Sequence, residues 1–541
     1  MRFVARRWLL GTADWAATTP VVRWSWTGPS DADLVGTLGE IRPSDRETVL
    51  EMMAGRYLLA SKLIDTHGVS PFGVPIAHAD WLDDLHSFAW LRHFRDARSD
   101  DERRFATTLT MDWIGRDGRF SRDSWKPSLC ARRVLNWIRH YNILVEAARP
   151  DQVNAIARSL SMQIQSLKLR GMLATDPVDA LLAAIALAGV AIADEKRRDE
   201  LPARLRRVTR LLDQQFCEDG LHRSRSAKIQ LMVLMELITF DQALNRHQQS
   251  HAHTLSDRIE SMFRALDAIS LGTGEPGYFN GTGQLPHDQI VAVQAQSPTR
   301  ARSSVALGGF GRLVQGRSIV VADSGVVPEP EFATEAHAGV LAFEFSHGRE
   351  LVVGNCGPAP ADLEGDTSIF RQGIAHSAPT INAVSAAAIA TSGPMTGRLL
   401  PVGARPDLRI DIPEQTLTLT SHGWRDRFGV TVERRLTLMP EGKTLVGQDR
   451  FVRGRNGRIS GACAIRFHLG QGTEVFEADD MLQLQLASGT VWNFLWEGAD
   501  LRVEDSVRQS AYFGFHRTRQ IVLETLVADG AEVSWVFTLQ E

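Results

Sequence analysis

The chain has 541 residues, of which 43% are hydrophobic and 23% are charged, which is the composition of a globular protein with two or three domains. A formal net charge of −4 gives no general electrostatic drive toward nucleic acid, so no nucleic-acid partner is predicted. The four cysteines are widely spaced and form no CxxC pair, which argues against a disulfide framework and against a zinc knuckle.

Residues 1–40 are predicted to be an extension that precedes the folded domains. They begin with basic residues, but no sustained apolar run follows Leu10, so we do not predict a cleaved signal peptide. Because the sequence contains no run of about eighteen apolar residues, we predict no transmembrane segment. The sequence alone does not settle the compartment.

From about residue 45 to residue 267, apolar residues recur with the spacing of amphipathic helices. Leu231, Leu234 and Ile238 are one example, at intervals of three and four residues. Asp176 before a proline is typical of a capped helix start. Glycines and prolines divide the region into segments of helical length, at Gly118, Pro127, Pro150, Pro177, Pro202 and Gly220. This pattern predicts stacked antiparallel helical hairpins, arranged as a bundle or as a toroid.

An aromatic residue between two histidines is the first polar feature of the helical half. His86, Trp90 and His93 share one face of a predicted helix, at positions i, i+4 and i+7. The ring of Trp90 could stack on a sugar, with the imidazoles beside it. Ordinary packing of the same helix is the alternative interpretation.

A basic loop is the second polar feature. His222, Arg223 and Arg225 lie between two apolar segments that are predicted to be helices. Cations crowded in one loop repel each other, so this loop could receive a polyanion. A solvated surface loop is the alternative.

After a glycine-rich turn that contains Tyr278, the pattern changes to short alternating strands. Examples are the segments 318–322, 340–345, 417–420, 430–438, 465–468, 482–486 and 533–539. Many short strands without long helices between them predict an antiparallel β-sandwich.

The segment from Asp323 to Pro358 is predicted to contain a β-hairpin with polar residues at its ends. Phe343 and Phe345 alternate with small or polar residues, so the hairpin should have one buried face. His337 stands just before the first strand and Asn355 just after the second. An imidazole and a carboxamide should therefore lie near each other, on loops that the sheet holds in place.

The β-rich half also carries a cationic set, formed by Arg425, Arg427, Arg434 and Arg435. Arg434 and Arg435 are adjacent, so they should point to opposite faces of a strand. One of them could face a groove between the two halves. A solvated strand edge, paired with acids such as Asp449, is the alternative.

Several of these segments resemble heparinase II/III-like proteins, in particular their alphaproteobacterial branch. The matching motifs are Asp-Ser-Gly at 323–325, Ala-His-Ala-Gly-x-Leu-x-Phe-Glu at 336–344, Asn-x-Gly at 355–357 and His-Ser-Phe-x-Trp-Leu-Arg-His at 86–93. The resemblance covers nearly the whole chain from about residue 40 onward. It implies an incomplete (α/α) toroid of helical hairpins over residues 41–295 and an antiparallel β-sandwich over residues 296–541.

The resemblance implies a polysaccharide lyase that cleaves a uronate-containing chain by β-elimination. That reaction needs a partner for the substrate carboxylate, a base for the adjacent proton and an acid for the leaving oxygen. Tyr278 or His222 is the predicted proton carrier. Arg225 is the predicted carboxylate partner, with His337 as a second imidazole. The predicted substrate contacts are His86, Trp90, Arg223, Asn355, Arg425 and Arg434.

The chain departs from the family's catalytic pattern at several positions. Glu335 stands where active relatives have a catalytic histidine. Those relatives hold a structural metal with two histidines and an aspartate. His337 matches the first histidine, but Asn355 replaces the aspartate, and Thr380 falls on the second histidine, with His376 four residues earlier. We therefore predict no metal and no cofactor.

Three functions stay open. The first is a lyase that acts on an acidic polysaccharide in a cationic groove between the halves, and the resemblance suggests the cell envelope or periplasm. The second is a catalytically inactive member that binds glycan or has a structural role. The third is a hydrolase or transferase with paired carboxylates such as Glu335 and Glu344.

Overall fold

A computed structural model describes residues 2–17, 19, 38–121, 123–246, 252–297, 303–454, 459–478 and 480–540. The chain divides into two units whose segments alternate along the sequence. The first unit comprises Met1–Phe216, Met232–Glu260 and Pro286–Gln296. The second comprises Cys217–Leu231, Ser261–Leu285 and Ser297–Glu541.

Helices dominate the N-terminal half of the chain. They are α1 (Arg2–Ala17), α2 (Arg46–Met53), α3 (Ala79–Ser87), α4 (Asp100–Arg116), α5 (Pro127–Arg139), α6 (Tyr141–Glu146), α7 (Pro150–Leu173), α8 (Pro177–Ala193), α9 (Leu201–Gln215), α10 (Ala227–Arg246), α11 (Ala252–Ala268) and α12 (His287–Gln294). Two short strands, β1 (Arg56–Leu59) and β2 (Lys62–Asp65), form a hairpin in the first unit.

Prolines and acidic caps start the helices where the sequence predicts. Pro127, Pro150 and Pro177 each occupy the first helical position, where the missing N–H costs nothing. The Asp176 carboxylate accepts hydrogen bonds from the Val178 and Asp179 amides, at 2.8 and 3.4 Å. The predicted start of α8 is therefore confirmed.

Helix α8 is the core of the first unit. Every residue from Leu181 to Ala193 is buried, and the helix packs against α5, α7 and α9. A helix that is apolar on all sides is stable in water only when neighbours surround it. The run of alanines allows these neighbours to approach closely.

A buried charged network ties the segment around Glu40 to this helical core. Glu40 accepts hydrogen bonds from Arg42 Nε and Nη2, at 2.8 and 2.6 Å, and lies 3.2 Å from His140 Nε2. Arg139 donates to Glu236 at 2.8 Å. Burial alone would raise the pKa of Glu40, but Arg42 and Arg139 outweigh it and hold this pKa far below its usual range.

The second unit is built from antiparallel strands. They are β3 (Val305–Leu307), β4 (Phe310–Gln315), β5 (Ser318–Asp323), β6 (Phe343–His347), β7 (Glu350–Gly354), β8 (Pro379–Ile381), β9 (Ala387–Ile389), β10 (Leu399–Pro401), β11 (Asp407–Asp411), β12 (Thr416–Ser421), β13 (Val430–Leu438), β14 (Thr444–Arg453), β15 (Ala462–Leu469), β16 (Glu474–Ala478), β17 (Met481–Gln485), β18 (Val491–Glu497), β19 (Asp500–Ser510), β20 (Gly514–Leu526) and β21 (Glu532–Leu539). A short helix, α13 (Arg425–Phe428), precedes β13.

Two large sheets form from these strands. One has the order β11-β12-β13-β14-β21-β18-β17-β16, and the other has the order β19-β20-β15-β7-β6-β5-β4-β3, with β8 also paired to β15. Phe343 of the second sheet stacks on Trp535 of the first, with ring centroids 5.4 Å apart. Phe467 meets the same indole at 4.8 Å. The sheets therefore share one apolar core, and the predicted fold class, helices followed by an antiparallel β-sandwich, is confirmed.

The predicted hairpin is present, but its burial differs from the prediction. Strands β6 and β7 are joined at Gly348, whose φ of 59° suits a tight turn. Glu344 and Ser346 are buried, and so are Phe343 and Phe345, which alternate with them. Both faces of β6 are therefore covered, because sheet packing occupies one face and loops of the same unit occupy the other.

The cysteines and the helix lengths agree with the sequence-based predictions. All four cysteines are free thiols, and Cys130, Cys356 and Cys463 are buried. Within the described ranges, each helix is too short or too polar to cross a membrane.

Replacing Glu40 by alanine is expected to destabilise the helical unit by about 3–5 kcal/mol, because Arg42 would be left buried without the carboxylate that it bonds through Nε and Nη2. The midpoint of urea unfolding, followed by far-ultraviolet circular dichroism, measures this loss. Glu51→Ala is the matched control, since Glu51 pairs with Arg56 at the surface and its loss should leave the midpoint nearly unchanged. Equal effects of the two substitutions would contradict this prediction.

Candidate functional site

The four residues predicted to be catalytic all lie in the second unit. His222 and Arg225 belong to its segment Cys217–Leu231, and Tyr278 belongs to Ser261–Leu285. His337 lies just before β6, as predicted. The four predicted residues therefore belong to one unit, and each of them is buried.

Arg225 is held by a carboxylate of its own chain. Its Nη2 donates to Asp323 Oδ1 at 2.7 Å, and its Nη1 lies 3.3 Å from Oδ2. The carbonyls of Gly308 and Val326 accept from Nε and Nη1, at 2.9 and 2.8 Å. The guanidinium also lies 4.2 Å from the Phe310 ring centroid. The fork that was predicted to receive a substrate carboxylate is therefore already filled by Asp323.

Asn280 connects this ion pair to His337. Its Nδ2 donates weakly to the Arg225 carbonyl and to Asp323 Oδ2, at 3.5 and 3.4 Å. Its Oδ1 accepts from the His337 amide at 3.2 Å. The backbone of Asn280 is left-handed, with φ of 48°, a conformation that asparagine tolerates well. One carboxamide thus fixes the loop that carries His337 against the Arg225–Asp323 pair.

His337 and His376 form a direct hydrogen bond, with 3.2 Å between Nδ1 and Nε2. His376 Nδ1 lies 2.7 Å from the Gln372 carbonyl and must donate to it, so its Nε2 accepts from His337 Nδ1–H. Burial lowers the pKa of His376 to about 4 and that of His337 well below its usual value. Both imidazoles are therefore neutral at pH 7.

His222 is also neutral and enclosed. Its Nδ1 accepts from the Ser224 amide at 3.1 Å and lies 2.7 Å from the Ser224 hydroxyl. Its ring meets Phe332 edge-on at 5.6 Å. Burial lowers its pKa to about 3. These bonds hold the basic loop in shape and do not present the imidazole to solvent.

Tyr278 belongs to a second cluster, centred on Glu344. The fully buried Glu344 carboxylate accepts from the Tyr278 amide at 3.1 Å, the Asn355 amide at 2.7 Å and Arg508 Nη1 at 3.2 Å. The Arg508 guanidinium lies 3.7 Å from the centroid of the Tyr278 ring. Burial raises the pKa of Tyr278 to about 12, against the opposing charge of Arg508.

The residues that match the family's metal ligands do not fit a metal ion. His376 meets His337 in place of Thr380, whose hydroxyl accepts from Arg466 at 2.9 Å. The Asn355 carboxamide donates to the Tyr278 carbonyl at 3.3 Å and accepts from the Ser377 amide at 2.9 Å. Among the described residues, no group of three or more histidine, cysteine, aspartate or glutamate side chains could hold a metal ion.

The predicted sugar-stacking face in the first unit is not formed. The backbone becomes left-handed at Phe88, with φ of 60°, so α3 ends before Trp90. Trp90 is buried and donates to the Leu85 carbonyl at 3.0 Å. His86 accepts from Trp113 at 3.0 Å, and His93 accepts from the Asp45 amide at 3.1 Å. The alternative interpretation, ordinary packing, therefore describes this segment.

The predicted cationic contacts separate into core and surface residues. Arg434 is fully buried, with its Nε and Nη2 bonded to Asp449 at 2.7 and 2.9 Å. Its neighbour Arg435 is exposed, so the two do point to opposite faces, but the inner face is the sandwich core and not a groove. Arg425 is half-buried in α13, and Arg223 is half-exposed near Glu329.

Several residues of the site were missed by sequence reasoning. Asp323 and Asn280 lie inside motifs that were recognised, yet neither was predicted as a site residue. His376 was noted in the sequence as lying four residues before the position that matches the second histidine, but it was not predicted as a site residue. Arg508 gave no signal, because it reaches Glu344 from 164 residues away in the sequence.

The β-rich half of the chain matches a known family model, and the whole fold is similar to solved structures. Residues 297–536 match the model described as Heparinase II/III-like, C-terminal. A solved heparinase III structure superposes with a TM-score of 0.71 at 10% identity, over 96% of this chain and 88% of that chain. The heparan sulfate lyase HepC from Pedobacter heparinus gives a TM-score of 0.57 at 14% identity, over 99% of this chain and 88% of that chain. FtsZ-localized protein C from Caulobacter vibrioides is 26% identical over 495 residues, covering 87% of this chain and 84% of its own length.

Acidification is expected to destabilise the chain. In the unfolded state His222, His337 and His376 take up protons near a pKa of about 6.5, whereas burial keeps them neutral in the folded state. The unfolded state therefore binds more protons as the pH falls below about 6.5, and the thermal midpoint should drop between about pH 7 and about pH 5.

The variant His376→Gln isolates the contribution of the histidine pair. Glutamine can still accept from His337 Nδ1–H, but it takes up no proton on unfolding. Its thermal midpoint should therefore depend less steeply on pH than that of the wild-type protein. The same slope in both proteins would show that His376 is not the titrating group.

Proposed function

We propose that the chain is a heparinase II/III-like protein, on the match of residues 297–536 to that family's C-terminal model, and that it binds an acidic, uronate-containing polysaccharide without cleaving it. The single observation that carries the proposal is the occupied fork of Arg225, where Asp323 Oδ1 lies 2.7 Å from Nη2. A carboxylate of the chain itself stands where a substrate carboxylate would have to bind. Binding by the family fold then depends on other, more exposed groups.

The remaining predicted catalytic groups support the same conclusion. β-Elimination requires a base and an acid that reach the substrate. His222 and His337 are buried and hydrogen-bonded inside the unit. Glu335 and Glu344 do not share a surface, since Glu335 is exposed and Glu344 is fully buried. The hydrolase with paired carboxylates is therefore the least supported of the three functions.

Cleavage by β-elimination is the second candidate, and one observation favours it. Tyr278 and Arg508 are in contact, with 3.7 Å between the guanidinium carbon and the ring centroid. A tyrosine and a guanidinium are the kinds of group that transfer a proton and neutralise a uronate. In such a lyase Arg508 would neutralise the substrate carboxylate, which is the role that was predicted from the sequence for Arg225. The groove between the two halves stays a prediction.

The substrate class comes from proteins with the same fold. Solved structures that superpose on this chain include heparinase III and a heparan sulfate lyase. Sequence identities of 10% and 14% support a shared fold, so the acidic polysaccharide is part of the proposal.

Incubation with heparan sulfate and with polygalacturonate separates binding from cleavage. Affinity electrophoresis should show retardation of the protein, and the ultraviolet absorbance of the mixture should stay constant because no unsaturated uronate forms. The heparan sulfate lyase from Pedobacter heparinus serves as the active control. A rise in absorbance that Tyr278→Phe abolishes would establish the lyase instead, and absence of binding to either polymer would overturn the proposal.

The place of action is a separate proposal. The Caulobacter relative is named an FtsZ-localized protein, and its similarity extends over most of both chains. We expect this chain to localise with FtsZ as well. A fluorescent fusion should form a band that coincides with labelled FtsZ and disperses when FtsZ is depleted. Fluorescence that does not coincide with labelled FtsZ would contradict this expectation. It would not bear on polysaccharide binding.

A further inference from the structure

A cavity of about 310 Å³ opens in the second unit, beside Tyr278. Its walls include Gln284, Arg349, Arg508 and His516, which come from three separate parts of the chain. The volume is at the lower end of small-molecule pockets, which range from about 300 to 1,000 Å³. A cavity of this size suits one sugar residue better than a long segment of polymer.

The floor of the cavity is rigid. Gln284 and Gln509 hold each other's loops, because the Gln284 amide donates to Gln509 Oε1 at 2.7 Å and Gln284 Oε1 accepts from the Ala511 amide at 2.9 Å. The loops approach so closely that a Cβ on Gly283 would lie 2.4 Å from Gln509 Oε1. A larger residue at this position would have to displace the Gln509 side chain that bonds the Gln284 amide.

Arg508 is oriented from behind the cavity wall. Its Nη1 donates to Glu344 at 3.2 Å and to the Asn355 carbonyl at 2.8 Å, while its plane lies against Tyr278. Both bonds use Nη1, so the other guanidinium nitrogens keep donors to offer to a ligand. A guanidinium that is held in this way loses little conformational entropy when it binds.

The charges around the cavity match a sugar that carries both a carboxylate and hydroxyl groups. Arg349 is exposed and, within the described ranges, makes no ion pair, so its charge is available to a carboxylate. Glu275 and Glu350 also line the cavity and offer acceptors to hydroxyl donors. Glu350 is positioned by the Ser488 amide at 2.9 Å and by the Ser488 hydroxyl.

An aromatic pair extends from the cavity rim at the tip of the β19–β20 hairpin. Tyr512 and Phe513 are 59% and 75% exposed, with ring centroids 6.5 Å apart. Phe513 also lies 5.4 Å from the His516 ring, which forms part of the cavity wall. Behind them Phe515 stacks on Phe370 at 5.0 Å and anchors the hairpin. Exposed rings on an anchored hairpin can stack on the next sugar outside the cavity.

We propose that this cavity binds one uronate residue of the polysaccharide, with Arg349 and Arg508 on its carboxylate and Tyr512 and Phe513 against the adjoining sugar. This inference rests on the proposed polysaccharide binding. It places recognition in the β-rich unit alone and uses none of the buried residues His222, Arg225 and His337.

Two surface variants test the site, Arg349→Ala and the double variant Tyr512→Ala/Phe513→Ala. Their matched controls are Arg435→Ala, an exposed arginine on β13, and Phe476→Ala, a phenylalanine on β16 that is 47% exposed. Neither control residue lines the cavity. The dissociation constants of a fluorescent heparan sulfate oligosaccharide and of a galacturonate oligomer are measured for all five proteins, and thermal midpoints confirm that each is folded.

Each cavity variant should raise the dissociation constant at least about tenfold, and the controls should leave it unchanged. A carboxyl-reduced oligomer should bind equally to the wild-type protein and to Arg349→Ala, because the charge that Arg349 recognises is gone. If the wild-type protein binds the oligomers and both cavity variants bind as tightly, the site is wrong and polysaccharide binding stands. If the wild-type protein binds neither oligomer, the proposed function itself fails.

Discussion

One buried ion pair, between Arg434 and Asp449, holds together the two sheets and the loops that carry the site. Arg434 lies on β13 of one sheet, and its Nη1 donates to the carbonyls of Leu341 and Ser377, at 2.8 and 3.1 Å, in loops of the other sheet. Trp535 Nε1 donates to Asp449 at 3.1 Å and completes the carboxylate's partners. Removing one member of such a pair leaves an uncompensated charge in the core. The positions of His337 and His376, which neighbour these carbonyls in sequence, depend on that pair.

The same pairing with a carboxylate of the chain recurs at Arg225 and Arg508 of the β-rich unit. Asp323 fills the fork of Arg225, and Glu344 neutralises Arg508. Because a guanidinium offers five donors in a fixed plane, one carboxylate and two carbonyls take up most of the donors of Arg225 and of Arg434, whereas Arg508 bonds through Nη1. The charges of these three arginines are balanced inside the unit, so additional attraction for a polyanion has to come from arginines at the surface. Arg349, on the turn between β6 and β7, is such a residue.

The sequence predicts elements better than it predicts burial. The alternation of apolar and polar residues correctly predicted β13 at Val430–Leu438, and Asp176 with its following proline correctly predicted the start of α8. Both patterns depend only on a few neighbouring residues. The prediction that His86 and Trp90 share a helical face was wrong, because periodicity assumes an unbroken helix. The left-handed residue Phe88 ends the helix between them. The pairing of Arg434 with Asp449 was among the alternatives considered, but its location in the core depends on how two sheets pack. No local pattern contains that information.

The histidine pair and Asn355 show how hydrogen bonds join the loops around β6 and β7. A metal needs unprotonated nitrogens and anionic oxygens, whereas a hydrogen-bonded cluster needs as many donors as acceptors. Asn355 supplies one of each, since it donates to the Tyr278 carbonyl and accepts from the Ser377 amide. An aspartate there would set a negative charge against that carbonyl. His337 donates a hydrogen bond to His376, and His376 donates one in turn to the Gln372 carbonyl. These donors and acceptors are therefore matched without a cation. His376 accepts from His337 only while its own Nε2 is unprotonated, so this hydrogen bond joins the two loops only while His376 stays uncharged.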